Sequence, residues 1–439
     1  MTPRVVVVHH SRHGTVRALA VRAAEGARAG GARVRLLTVA DEERGGGARW
    51  PEQVAAAEDV LWADGLVLAA PTYFGNVSSP FKRFLETTSP LWRQGALADR
   101  VVTAMTASAS THGGREATLL ALHQSAYHWG SWVVGADPAD PLMQRAGGNA
   151  YGLSAEARTG GGASAGETTA AFTQGRRLAE LTALTHPGTG ERTDAGAGTD
   201  EPVKVAVVHC ADGAAARLLA QECAAGARLA GAQVRLRRVP GAGVARTPWL
   251  PGAAAVATAE DIAWADAVVF GAPARLGAMA AELLGFAQSL EYGAGAGAGG
   301  TLRGVLSGKP VSAFTVAPRT HAGSESALLA FHHVLLHSGA VVVPPGFTDP
   351  SVAAAGGNPY GTTQVTDTGM VASAAALAAA AHQGRRTATA GRLLRRAWQP
   401  AYGTHDLTGV NGAGGALAVA GAEDGTERRG GRHGERAAV

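Results

Sequence analysis

The sequence predicts a doubly wound α/β fold with a parallel sheet, built twice in one chain. Short, fully apolar runs alternate with stretches of helical spacing. Several of those runs carry no polar alternation, as expected for strands covered on both faces. The whole order of motifs then recurs after about two hundred residues, the mark of a duplication.

Each element has its own reason. "VVVV" (5–8) is β-branched and wholly apolar, hence a buried strand. "TVRALAVRAAEGARAGG" (15–31) puts Val16, Leu19, Ala20, Ala23 and Ala27 on one helical face and stops at Gly30–Gly31. "VRLLTV" (34–39), "GLVLAAP" (65–71), "VVTAMTA" (101–107) and "SWVVG" (131–135) supply further strands. Trp62 and Trp132 read as core, and His9, His10, His112 and His123 as structural.

The repeat holds along the chain. "VVVHHSRHGTVRALA" (6–20) faces "AVVHCADGAAARLLA" (206–220), and "EDVLWADGLVLAAP" (58–71) faces "EDIAWADAVVFGAP" (260–273). "THGGREATLLALH" (111–123) faces "THAGSESALLAFH" (320–332), and "GGNAYG" (147–152) faces "GGNPYG" (356–361). The expected organisation is a domain at 1–185, a flexible Gly/Pro-rich linker at 186–202, a second domain at 203–398 and a low-complexity, disordered tail at 399–439.

Composition narrows the class. With 46% apolar and 17% charged residues the chain is globular. A net charge of +4 without a basic stripe interleaved with aromatics argues against nucleic acid. Two cysteines build no disulfide framework, and no His/Cys/carboxylate cluster has metal-ligand spacing, so no metal is expected. No apolar run is long enough for a membrane span or signal peptide, which makes the cytoplasm the expected location.

In such a fold, ligands bind beyond the carboxyl ends of the strands. The loop after strand one, "SRHGTV" (11–16), runs into a helix N-terminus whose N–H groups suit a phosphate. Ser11 and Thr15 add hydroxyls and Gly14 allows close approach, although a plain Ser/Thr helix cap uses the same residues. The spacing is neither a Walker loop nor GxGxxG. The loop after strand three, "PTYFGN" (71–76), sets two aromatics at a strand tip, to shelter a planar ring or to anchor the loop. The loop after strand four, "TASASTHGG" (106–114), is dense in hydroxyls and glycine, as a ligand loop or an ordinary turn would be.

Taken with "LW" (91–92), "HWG" (128–130) and "GGNAYG", these loops resemble the WrbA type of NAD(P)H:quinone oxidoreductase, a flavodoxin-like FMN family, over residues 4–184. Residues 204–390 resemble a degenerate second copy. The resemblance implies two tandem flavodoxin-like domains, each a doubly wound parallel five-stranded sheet with helices on both faces. It implies FMN, with Ser11, Arg12, His13, Gly14, Thr15 and Val16 at the phosphate. Pro71, Thr72, Tyr73, Phe74 and Gly75 would hold the ring together with Ser108, Ala109, Ser110, Thr111, His112 and Gly113. His128 matches a flavin-side histidine and is the catalytic candidate; Trp92 matches a tryptophan bordering the substrate slot, often from across a subunit interface. Glu116 is read as orienting the fourth loop. The implied reaction is a ping-pong transfer of two electrons from NADH or NADPH through FMN to a quinone. Tyr73 replaces a common Arg and His13 a common Tyr, departures that bear on the dinucleotide.

In the second copy Ser11, Gly14 and Thr15 have become Ala211, Ala214 and Ala215, Asp212 enters the loop, and "PTYFGN" has become "PARLGA" (273–278). That copy is expected to keep its fold without FMN. Since relatives of this type form tetramers with slots walled by neighbours, the fused copy would supply such a wall, and the chain would be a homodimer. The alternatives are a flavodoxin-like electron carrier and a non-enzymatic interaction protein.

Overall fold

A computed structural model describes residues 2–41, 50–158, 161–186, 201–210, 213–239, 254–292, 304–366 and 371–395. The expected linker, apart from its end residues 186, 201 and 202, and the expected tail lie outside the described residues, as does Asp212.

The first half contains strands β1 (Arg4–His9), β2 (Arg33–Thr38), β3 (Gln53–Val54), β4 (Gly65–Tyr73), β5 (Asn76–Val77), β6 (Val101–Ser108), β7 (Trp132–Val134) and β8 (Leu153–Glu156). Its helices are α1 (Thr15–Ala29), α2 (Ala57–Trp62), α3 (Ser79–Thr87), α4 (Ser89–Arg93), α5 (Arg115–Trp129), α6 (Pro141–Arg145) and α7 (Ala165–Thr185). The second half repeats them as β9 (Lys204–His209), β10 (Gln233–Arg238), β11 (Ala255–Val256), β12 (Ala267–Arg275), β13 (Ala278–Met279), β14 (Pro310–Ala317), β15 (Val341–Val342) and β16 (Thr363–Val365). The matching helices are α8 (Ala214–Leu229), α9 (Ala259–Trp264), α10 (Ala281–Tyr292), α11 (Ser324–His337), α12 (Pro350–Ala354) and α13 (Ala374–Leu394).

The sheet order through the first half is β3-β2-β1-β4-β6-β7, all parallel, with β8 pairing the far end of β6. The expected fifth strand is thus two short pieces, β7 on Val101–Val102 and β8 on Met105–Ser108. Val5 to Val8 are completely buried, as a strand covered on both sides requires. α1 buries Val16, Leu19, Ala20, Ala23 and Ala27, the face its spacing predicts. Trp132 is core, but Trp62 is only partly buried, and the Arg35 guanidinium covers its ring at 4.0 Å.

Close helix packing explains two glycines. A Cβ on Gly26 of α1 would lie 1.9 Å from the Phe172 carbonyl oxygen, and one on Gly175 of α7 would lie 2.0 Å from that of Ala23. The second half repeats the contact with Gly226 and Gly384.

The two halves share one sheet. β7 pairs antiparallel with β15, Val134 opposite Val341 and Val133 opposite Val342. On one side of the sheet a single apolar core runs across this seam, from Leu119, Leu122 and Tyr127 to Phe331, Leu335 and Tyr360. Arg386 locks the seam by pairing with Asp99 at 2.8 Å and donating to the Gly130 carbonyl.

Candidate active site

The loops after β1, β4 and β6 converge at the carboxyl ends of those strands. The first caps α1 through Gly14, whose φ of 98° lies in the left-handed region. The first helical hydrogen bond runs from the Ala18 N–H to the Gly14 carbonyl, so the N–H groups of Thr15, Val16 and Arg17 precede the ladder. Ser11 and Thr15 are buried, at 4% and 3% exposure. Ser11 Oγ accepts from the Gly14 N–H at 3.1 Å. Thr15 Oγ1 is buried with no hydrogen-bond partner. Helix-end N–H groups and an unmatched hydroxyl fit an oxyanion that the chain does not supply.

A charged network backs this loop. The Trp50 indole N–H donates to the Ser11 carbonyl at 2.8 Å, and the Arg17 guanidinium lies over the Trp50 ring at 5.0 Å. Arg17 pairs with Glu52 at 2.7 Å, and Glu52 stands 3.7 Å from His9 Nε2. Burial pushes the His9 imidazole down to about 4, against the opposing pull of Glu52, so His9 is neutral at pH 7. From the other side, a Cβ on Gly161 would lie 2.3 Å from the His13 carbonyl oxygen; that backbone rests directly on the loop.

β4 and β5 form a hairpin whose central residues Phe74 and Gly75 have φ of 52° and 75°, a type I′ turn. The Phe74 side chain is fully exposed at this tip. The Arg12 guanidinium lies 5.2 Å from the Tyr73 ring, joining the first and third loops. Thr118 donates to Thr72 at 2.7 Å and Thr72 to the Gly114 carbonyl at 3.3 Å, joining the third and fourth. Ser108 donates to the Ser110 carbonyl at 2.6 Å and accepts from Arg115 Nε at 2.7 Å. Ser11–Val16, Pro71–Gly75 and Ser108–Gly113 therefore form one cluster.

His128 and Trp92 are not in that cluster. His128 lies in the last turn of α5, thirteen residues after Arg115, which is about 20 Å along the axis from the fourth loop. Its Nε2 lies 3.3 Å from the Tyr360 hydroxyl of the second half, and burial depresses its pKa while Glu325 opposes that shift. Trp92 packs edge-on against Phe347 of the second half at 5.7 Å, its buried indole N–H unpartnered. Both line a groove of about 560 Å³ with Asn76, Val77 and Gln124.

The reciprocal contact brings His337 to the first half. Its Nε2 is 3.1 Å from the Tyr151 hydroxyl, and it lines a cavity of about 450 Å³ with Thr111, His112, Arg115, Glu116 and Asn149. Glu116 is exposed there. Sequence reasoning missed Trp50, Glu52, Gly161, Arg115 and the reach of His337. The strand register offers a signal for one of them, since Glu52 corresponds to Ala254 in the copy that lost its hydroxyls. In the second half, Ala215 replaces the unmatched threonine, and the corresponding cleft of about 570 Å³ is lined by Gly213, Ala214, Ala215, Pro273 and Arg275.

A family model described as NADPH-dependent FMN reductase matches residues 3–140 and again 203–353. A relative from Deinococcus radiodurans named NAD(P)H dehydrogenase (quinone) is 36% identical over 166 residues, 35% of this chain and 83% of its own length. One of the same name from Caulobacter vibrioides is 34% identical over 196 residues, covering 42% of this chain and 98% of the relative. Among solved structures, a flavodoxin, WrbA-like protein from Agrobacterium tumefaciens covers 42% of this chain and 99% of its own, at 24% identity and a TM-score of 0.33.

Proposed function

The chain belongs to the NADPH-dependent FMN reductase family, and from that premise we propose that its first half works as an FMN-dependent NAD(P)H:quinone oxidoreductase completed by its second. The observation that carries the asymmetry is the buried, partnerless Thr15 hydroxyl in one half against Ala215 in the other.

The N–H groups at the start of α1, with the Ser11 and Thr15 hydroxyls, bind the phosphate. Tyr73 and Phe74, with the loop from Ser108 to Gly113, hold the ring. When bound, FMN supplies the hydride-accepting and two-electron chemistry. The protein's part is to orient the ring, to admit NADH or NADPH and then the quinone to one slot, and to keep a proton donor near it. His337 replaces His128 as the histidine of this slot, because α11 delivers its imidazole to the cavity beside Thr111 and His112. His128 and Trp92 face the second half, or a neighbour docked in their groove. Two chains then pair into a homodimer of four α/β units, for which the unpartnered Trp92 N–H in that groove is support. The buried thiols Cys210 and Cys223 are not disulfide-bonded, in keeping with a cytoplasmic location.

The test is a purified, FMN-saturated chain, with absorbance giving flavin per polypeptide and light scattering giving mass. One FMN per chain, NAD(P)H-driven quinone reduction, and slowing by H337A but not by H128A are expected. Two FMN per chain, or slowing by H128A alone, overturns the reading.

A further inference from the structure

Arg115 is the first residue of α5 and belongs to no part of the phosphate or ring contacts proposed above. Its Nε donates to Ser108 Oγ at 2.7 Å, while that hydroxyl donates to the Ser110 carbonyl at 2.6 Å and the Gly113 N–H closes the turn onto Ser110 at 3.1 Å. One guanidinium thus braces the whole fourth loop. It also borders the cavity that His337 enters, and one of its terminal nitrogens is buried with no acceptor. A buried, unmatched N–H of a charged group is costly and signals an acceptor from outside the chain. Of the two carboxylates nearest in influence, Glu167 accepts the backbone N–H groups of Glu156 and Ser164, and the Glu156 side chain is exposed.

The second half serves as an internal control. Ser108 corresponds to Ala317 and Arg115 to Ser324, so both members of the brace are missing together, in the same half that lacks the hydroxyls of the first loop. The Ser324 hydroxyl there is buried and unpartnered.

We propose that Arg115 is a redox-tuning positioning residue: it fixes the fourth loop in its ring-binding form and sets beside it a permanent positive charge that favours reduced over oxidised FMN. The inference rests on the FMN reading of the first half. A partly buried cation acts through a lower dielectric than water, so its field on an acceptor that gains negative charge is stronger than in solvent, and it costs no reorganisation because the brace already holds it. Arginine suits the position because it stays charged while donating in a fixed fork.

Three variants test this on the full chain reconstituted with FMN: Arg115→Gln, Arg115→Lys and Ser108→Ala. The readouts are the midpoint potential of the bound flavin and its dissociation constant by fluorescence quenching. R115Q is expected to weaken reduced relative to oxidised FMN about tenfold, a fall of about 30 mV for a two-electron couple. R115K keeps the charge and most of the potential. S108A loosens FMN severalfold with a potential close to that of the parent. A parent-like potential in R115Q overturns the proposal, and so does an R115K shift as large as that of R115Q. Failure of the FMN reading itself is seen separately, as an unaltered chain that binds no flavin.

Discussion

Replacing Thr15 by Val separates a phosphate site from an ordinary helix cap. Valine keeps the β-branched shape and removes only the hydroxyl, which is 3% exposed as part of its residue and has no partner. Nothing in the flavin-free protein is lost with it, and one unsatisfied buried group disappears, so the fold should hold or gain up to about 1 kcal/mol. A hydrogen bond from that hydroxyl to a phosphate oxygen is charge-assisted and contributes roughly 1.5–3 kcal/mol. FMN should therefore bind about ten- to a hundredfold more weakly. Riboflavin, which has the same ring and no phosphate, should bind T15V as it binds the parent. Ser11→Ala is the contrast, because Ser11 Oγ already accepts the Gly14 N–H; it should lose FMN affinity and also about 1 kcal/mol of flavin-free stability. Fluorescence titration with both flavins, beside urea unfolding of the flavin-free protein, measures each term. Equal losses for FMN and riboflavin in T15V would place the hydroxyl away from the phosphate. A flavin-free T15V destabilised by more than about 1 kcal/mol would show that the hydroxyl has a partner, and the reasoning fails.

Further outcomes follow from other residues. Phe74 holds a left-handed φ of 52° while fully exposed, so Phe74→Asn should stabilise the fold by about 1 kcal/mol and weaken flavin binding; Leu276→Asn, at φ 53° in the second half, should give the stability alone. Gly175→Ala drives a Cβ to 2.0 Å from the Ala23 carbonyl oxygen, and denaturant unfolding should report a loss of about 1–3 kcal/mol. Burial lowers His9 to about 4 and His123 and His332 to about 3, so these rings stay neutral in the fold while the unfolded chain protonates near 6.5. The stability they contribute is present above pH 6.5 and lost as pH falls toward 4 for His9 and toward 3 for His123 and His332, about 2 kcal/mol for each by pH 5. Unfolding curves at pH 7.5 and 5 check it, and H123N should flatten the dependence.

What the sequence disclosed was whatever a short window encodes. The valines of β1, the apolar face of α1 and the convergence of three strand tips all follow from local period and parallel topology. β8 was not legible, because "LSAE" has no strand signature and exists by pairing with Met105–Ser108, some fifty residues back. Nor was the role of Glu52. It comes under the first loop only because β3 lies against β2 at the edge of the sheet, and no spacing records that. Trp62 was read as core, yet its ring meets arginines at the surface. His128 illustrates a different limit of local pattern. The motif places it near a flavin, while the structure sets its Nε2 3.3 Å from the Tyr360 hydroxyl of the second half, a contact that no short window of sequence encodes.

That seam also gives a physical reason for keeping a copy that has lost its hydroxyls. The proposed flavin site uses Ser11, Thr15 and Arg115, whose counterparts in the second half are Ala211, Ala215 and Ser324. The seam uses different residues. β15 covers the edge of β7, which would otherwise offer unpaired backbone groups to any passing strand. Tyr127 packs at a tilt against His332 with ring centroids 4.9 Å apart, Arg386 holds Asp99, and His337 meets Tyr151. Each of these second-half residues serves the first half, and the pattern of loss respects the division: the loop residues of the second copy have changed, while His332, His337 and Tyr360 still match His123, His128 and Tyr151. A copy retained only as a folded spacer would have no reason to keep an imidazole at 337, at the mouth of its neighbour's cavity. Its presence there is what the proposed shared slot calls for.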